Sequence, residues 1–190
     1  MSNEAQVKKL TDVMAQFVGF TAKKLPDDVI AKLQELRGKE DTPMTKVIYD
    51  TMFRNQKLAL EMDRPSCQDT GVLQFWVKCG TKFPLIDDLE GLLKDAVVQA
   101  AFATPLRHNS VETFDEYNTG KNVGKGTPTV WWDIVPNSDQ CEIYTYMAGG
   151  GCTLPGNATV LMPGEGYEGV TKFVLDRMTS YGLNACPPLL

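Results

Sequence analysis

The hydrophobic period of this chain changes at Arg64-Pro65. Upstream, apolar side chains recur at three- and four-residue steps; downstream, from Thr70 to Cys79, Leu73, Phe75 and Val77 alternate with Gln74, Trp76 and Lys78. The first spacing keeps one face of a helix apolar and the second keeps one face of a strand apolar. Helical and strand patterns held in separate blocks, without a regular strand-helix-strand rhythm, point to an α+β fold.

The helical block divides at its own punctuation. Val7, Leu10, Met14, Phe17, Val18 and Thr21 make one amphipathic face over residues 3 to 24. A second helix opens at Pro26 with Asp27 and Asp28 at the positive end of its dipole, buries Val29, Leu33 and Leu36, and closes at Gly38. A third takes Thr42 as N-cap and Pro43 as its first residue, and must end before Pro65. Beyond the strand, Asp87 and Glu90 read as a capping-box variant, opening a helix over 87–104 that stops before Pro105. Strands near 128–135 and 140–147 are separated by Pro136-Asn-Ser-Asp139, a connection short enough to predict an antiparallel hairpin. A last helix is expected over 166–182, with Val170, Phe173, Val174 and Met178 on its apolar side and Gly182 as its stop. The expectation is one domain over 1–190, a helical layer on an antiparallel sheet.

Composition narrows the functional classes. A formal charge of −5 disfavours nucleic acid and anionic membrane surfaces as partners, so an anionic small substrate would need a local concentration of Arg and Lys. The opening Met1-Ser-Asn-Glu-Ala-Gln-Val-Lys-Lys9 has no apolar signal core, and no run approaches a membrane span; a cytoplasmic protein is expected. The cysteines at 67, 79, 141, 152 and 186 include no pair with the two-residue gap of a zinc knuckle or redox motif. Local spacing alone therefore defines no metal site.

Three segments suit chemistry better than packing. Arg64-Pro-Ser-Cys-Gln-Asp-Thr-Gly71 sets a soft thiol, Cys67, beside the amide of Gln68 and the carboxylate of Asp69, between two backbone punctuators. Residues 105 to 127 have no convincing period, and connections of that length inside a compact domain are usually functional or disordered. That connection holds Arg107, whose fork of donors can grip a carboxylate, although on spacing alone it equally fits a solvated cation. It also holds His108, the only histidine, which excludes multi-histidine metal sites. Ala148-Gly-Gly-Gly-Cys152 ends a predicted strand with residues that pack poorly but allow close backbone approach to a ligand. Gly164-Glu-Gly-Tyr-Glu-Gly169 carries acidic residues that would repel phosphate and does not follow a long strand, so it is not a dinucleotide fingerprint.

Taken in order, Cys67-Gln-Asp-Thr-Gly71, Leu106-Arg-His-Asn109, Asn118-Thr-Gly120, Gly149-Gly-Gly151 and Ala185-Cys-Pro-Pro188 resemble the N-terminal half of the class I iron-sulfur fumarase family, most closely its two-subunit dehydratases. The resemblance spans essentially the whole chain. It implies a 4Fe–4S cluster held by three cysteines, of which Cys67 and Cys186 match two, while Cys79, Cys141 and Cys152 match none. By that resemblance the third family ligand lies downstream of residue 190, so the expectation is either a truncated form of a longer subunit or a longer subunit of which this sequence gives only part. By the same resemblance Arg107 binds a substrate carboxylate, Gln68 and Asp69 contact substrate oxygens or move a proton, and Gly150 brings backbone near the substrate. The base and further cations would come from a β subunit, in paired αβ units. The implied reaction is removal of water from a 2-hydroxy dicarboxylate, tartrate first and malate or fumarate as the alternative. A non-catalytic iron-sulfur or redox-sensing protein is the more distant one.

Overall fold

The structure, a computed structural model, describes residues 2–67, 69–112, 114–150 and 156–181. The chain divides into two compact units, Met1–Met147 and Ala148–Leu190.

The first unit opens with α1 (Asn3–Lys23), α2 (Asp27–Lys39) and α3 (Pro43–Glu61). Ser2 caps α1 by accepting the Ala5 N–H, and Lys23 sits in its last turn, where a cation complements the helix dipole. Pro26 stands just outside α2 as its N-cap residue, and Gly38 lies inside the helix rather than closing it. Arg37 on α2 grips both carboxylate oxygens of Asp50 on α3, at 2.9 and 3.2 Å. Thr42 and Pro43 occupy the expected cap and first-turn positions of α3.

After the turn at residues 62–71 come β1 (Val72–Gly80) and α4 (Leu89–Ala103). The helix start differs from the expected capping box: its N-cap is Asp88, in helical conformation and without a side-chain cap hydrogen bond. Leu73, Phe75, Val77 and Cys79 of β1 are buried against Met14, Ala15 and Val18 of α1 and Leu89, Leu93, Ala96, Val97 and Ala100 of α4. The alternation read in the sequence is therefore the boundary of the core: odd-numbered positions face the helices. Gly19 marks a close approach of α1 to the end of α4, since a Cβ there would lie 2.4 Å from Oγ1 of Thr104, the C-cap residue.

The long connection after α4 contains a small ribbon, β2 (Val111–Glu112) antiparallel to β3 (Tyr117–Asn118). It leads to β4 (Thr129–Val135), and the chain then enters β5 (Cys141–Ala148). The expected β4–β5 hairpin does not form, because the strand order is β4-β1-β5 with β1 in the centre. β4 runs parallel to β1, with Trp76 opposite Trp131. β5 runs the other way: the Gly80 N–H donates to the Gln140 carbonyl, while Lys78, two residues back along β1, places its Nζ 3.7 Å from the carboxylate of Glu142. The sheet is thus mixed rather than antiparallel, while the α+β class stands.

The physical reason lies in relative burial. β1 is apolar on its inner face along its whole length, so flanking it on both sides shields the most apolar strand. A parallel partner needs a crossover, and α4 with the long connection supplies one. The connection at 136–139 then steps over the end of β1 instead of turning a hairpin, held by Lys82 N–H to Ser138 O at 2.8 Å and Asn137 N–H to Thr81 Oγ1 at 3.0 Å. On the outer face, Trp76 and Trp131 stack with centroids 6.2 Å apart.

In the second unit a short 3-10 turn, Pro163–Glu165, leads into α5 (Gly166–Tyr181). Val170, Val174 and Met178 on its predicted apolar side are exposed. Gly182, expected as its stop, lies outside the described residues. Among the described residues no helix is long and apolar enough to cross a membrane.

Candidate active site

The turn that carries Cys67 is fixed from both sides. α3 ends at Glu61, and Asp63 turns the backbone with a positive φ of 52° while its carboxylate pairs with Lys23 of α1. Ser66 then docks on the end of α1, donating its N–H to the Ala22 carbonyl at 2.9 Å and its hydroxyl to the same oxygen at 3.2 Å. Asn55 of α3 donates its side-chain amide to the Ser66 carbonyl. Cys67 is therefore presented, exposed, from a backbone tied to two helices.

Asp69 organises the turn that follows it. Its Oδ1 accepts the Gly71 N–H at 3.0 Å, closing an Asx-type turn at a glycine whose φ of +75° suits a residue with no Cβ. The same oxygen accepts Asn109 Nδ2 at 3.0 Å, and that nitrogen also donates to the Gly71 carbonyl at 3.1 Å. Thr70 is buried, and its Oγ1 accepts the Arg107 N–H at 2.9 Å. Two stretches almost forty residues apart in sequence are thus joined by side-chain hydrogen bonds.

The connection that carries Arg107 is no loose loop. Leu106 is buried in the core, the Asn109 N–H donates to Asn122 Oδ1 at 2.7 Å, and Asn118 Nδ2 donates to the His108 carbonyl at 2.6 Å. Asn122 is itself buried, in left-handed conformation at φ 57°, a backbone state that asparagine tolerates better than most residues.

The outcome is an open cavity of about 570 Å³ lined by Arg64, Cys67, Thr70, Arg107 and His108, together with Asn55, Pro65, Ser66, Pro105 and Leu106. Two guanidiniums and an imidazole line it, and none of these lining residues is acidic, in a chain whose net charge is −5. Such a surface favours a small anion. The other described thiols differ from Cys67. Cys79 is fully buried, and the Cys141 thiol is pushed up to about 12 by burial first and by its hydrogen bond with Cys79 second.

Of the residues singled out in the sequence, Cys67, Arg107 and His108 line this one cavity, whereas Asp69, tied to Asn109, is not among its lining residues. Gly150 belongs to the second unit, where it is exposed and helical in conformation. Gln68, Gly151, Cys152 and Cys186 lie outside the described residues. Among the described residues no three His, Cys, Asp or Glu side chains gather into a metal-binding group. Sequence reasoning gave no role to Arg64, Thr70 or Asn109. Each stood in a motif already marked, but which neighbours they touch depends on the crossing of the two stretches.

Fold and cavity together define an α+β protein with a cavity lined by a thiol-bearing residue and two arginines, a lining that suits a small anion. The chain belongs to the fumarate hydratase (Fumerase) family, whose model matches residues 11–190. It is 54% identical over all its 190 residues to the L(+)-tartrate dehydratase subunit alpha of Escherichia coli O157:H7, and equally to that of strain K12. A putative L(+)-tartrate dehydratase subunit alpha of Methanocaldococcus jannaschii is 30% identical over 185 residues, 96% of this chain and 65% of that protein. The chain spans 63% of the length of the Escherichia coli relatives.

Proposed function

We propose that this chain is the N-terminal part of the α subunit of a hydro-lyase that dehydrates L(+)-tartrate to oxaloacetate. The observation that carries the reading is the cavity in which Cys67 and Arg107 meet, cationic in an otherwise acidic chain. In this reaction the hydroxyl leaves one carbon, a proton leaves the neighbouring carbon to a base, and the resulting enol becomes the keto acid. Arg107 holds a substrate carboxylate through parallel hydrogen bonds, which orients the carbon chain. Arg64, across the same cavity lining, opposes further negative charge. Asp69, whose Oδ1 accepts from the Gly71 N–H and from Asn109 Nδ2, contacts a substrate oxygen or moves a proton, together with Gln68.

Cys67 fits as a cluster ligand: it is an exposed thiol on an anchored turn, whereas Cys79 is buried and Cys141 half-buried in the sheet. Cys186 supplies a second thiolate in this reading. A 4Fe–4S cluster held in part by Cys67 and Cys186 would supply Lewis-acid chemistry for the departing hydroxyl. The relatives' designation as subunit alpha supports a partner, and a β subunit supplies the base for the C–H proton. Thiols of this kind persist in a reducing cytoplasm, where the reading places the enzyme.

The family's fumarate hydratase description keeps malate and fumarate as the second reading. Steady-state assays of the complete subunit assembled with its partner separate the two. A higher kcat/KM on L(+)-tartrate is expected; a strong preference for malate overturns the substrate, and no turnover of either overturns the reading.

A further inference from the structure

The two groups that the proposed function assigns to substrate, Asp69 and Arg107, are each held by a different clasp. Asn109 uses its side-chain amide nitrogen on the Asp69 side: Nδ2 donates to Asp69 Oδ1 and to the Gly71 carbonyl, at 3.0 and 3.1 Å. Those two bonds use both protons of the amide nitrogen. Arg107 is held elsewhere, by its own N–H on the Thr70 hydroxyl at 2.9 Å. The backbone of Asn109 is independently secured by Asn122 Oδ1 at 2.7 Å, so the path of the chain past Arg107 does not depend on the Asn109 carboxamide.

We infer that Asn109 and Thr70 are separate positioning residues for the reaction: Asn109 orients the Asp69 carboxylate for the chemical step, and Thr70 sets the Arg107 guanidinium for substrate binding. The geometry supports the division. Asp69 Oδ1 accepts a backbone donor from its own turn and a side-chain donor from the opposite stretch, so removing the amide takes away a bond that crosses between the two. A carboxylate with that restraint removed loses the alignment on which a proton transfer or oxygen contact depends, and misplacement on the order of 1 Å costs about a hundredfold. Thr70 is 6% exposed, so its hydroxyl is a fixed acceptor rather than a solvated one. Without it the Arg107 N–H must find another partner, and the residue carrying the carboxylate grip moves with its backbone.

This inference rests on the proposed function, and its test is built to tell the two apart. The complete αβ enzyme is assayed on its dicarboxylate as wild type, Asn109→Ala, Asn109→Ser, Thr70→Val and Thr70→Ser, with circular dichroism and melting temperature recorded for each. Asn109→Ala is expected to lower kcat about 10- to 100-fold with KM within about threefold, and Asn109→Ser, which keeps one shorter donor, to fall between it and wild type. Thr70→Val is expected to raise KM about tenfold with kcat nearly unchanged, and Thr70→Ser, which keeps the hydroxyl, to restore it. A purely structural role would lower melting temperature and active fraction without splitting kcat from KM; that pattern, or an Asn109→Ala enzyme with wild-type kcat, overturns the inference while wild-type turnover leaves the functional reading standing. A wild-type enzyme inert on every 2-hydroxy dicarboxylate overturns the functional reading first, and the inference with it. If Asn109→Ala does not fold, Asn109→Ser decides the matter instead: a lowered kcat at unchanged KM supports the inference, and a wild-type kcat overturns it.

Discussion

The Gly80 N–H donates to the Gln140 carbonyl at 2.8 Å, and this bond marks where the chain, having stepped over the end of β1, starts back along its other side. A Cβ on Gly80 would lie 2.1 Å from the Ser138 carbonyl oxygen, which is backbone and has little room to move. Gly80→Ala is therefore expected to destabilise the first unit by about 1–3 kcal/mol through forced displacement of residues 136–140. Urea unfolding checks it: the midpoint should fall at an unchanged slope.

Phe75 is fully buried at the centre of β1, against α1 and α4. Phe75→Ala removes its ring from the core and leaves a space that helices bound to the same strand cannot fill. The expected loss is about 3–5 kcal/mol, enough to unfold much of a marginally stable unit. Trp76→Ala, one residue along but on the exposed face, should cost well under half as much in the same measurement.

The thiols should divide by reactivity. At pH 8, iodoacetamide is expected to label Cys67 in the folded apoprotein before Cys79 or Cys141, which are buried or half-buried and paired with each other. Mass spectrometry of the alkylated peptides checks the order, and labelling of Cys141 ahead of Cys67 would contradict it. The same pair predicts an alkaline effect. The folded Cys141 holds its proton up to about 12 against an ordinary 9.0, so its contribution to stability is complete below pH 9 and is lost as pH rises from 9 towards 12. The difference in melting temperature between wild type and Cys141→Ala should shrink across that window.

Arg107 and Arg64 share one cavity, and they are expected to differ in how they can be replaced. Arg107→Lys keeps the charge but loses the paired hydrogen bonds, so KM for the dicarboxylate should rise about tenfold or more. Arg64→Gln removes charge at the cavity wall and should weaken binding more at low salt than at high salt. Initial-rate kinetics of the assembled enzyme at two ionic strengths checks both.

Cys67→Ser tests the cluster ligand directly. After anaerobic reconstitution of the complete subunit with iron and sulfide, this variant should lose most of its bound iron and visible absorption, while Cys79→Ala should keep both. Equal iron contents in the two variants would remove Cys67 from the ligand set. A reduced-cluster EPR spectrum that ignores added hydroxy acids would favour the electron-transfer or sensing alternative.

Periodicity alone located α1, α3, β1 and α5 closely, because each carries an apolar face whose spacing matches its own backbone repeat. The motif around Cys67 and the stretch around Arg107 likewise stood out in the sequence, as a thiol beside an amide and a carboxylate and as an arginine in a long aperiodic connection, and the structure brings Cys67 and Arg107 to one cavity. What the sequence could not decide was who stands beside whom. Strand order placed β1 between β4 and β5, where the short connection at 136–139 suggested a hairpin, because lateral hydrogen bonding depends on which strand most needs cover and not on loop length. The clasps of Asn109 on Asp69 and of Thr70 on Arg107 are likewise products of tertiary structure: each joins residues almost forty positions apart, a pairing that leaves no local period to read.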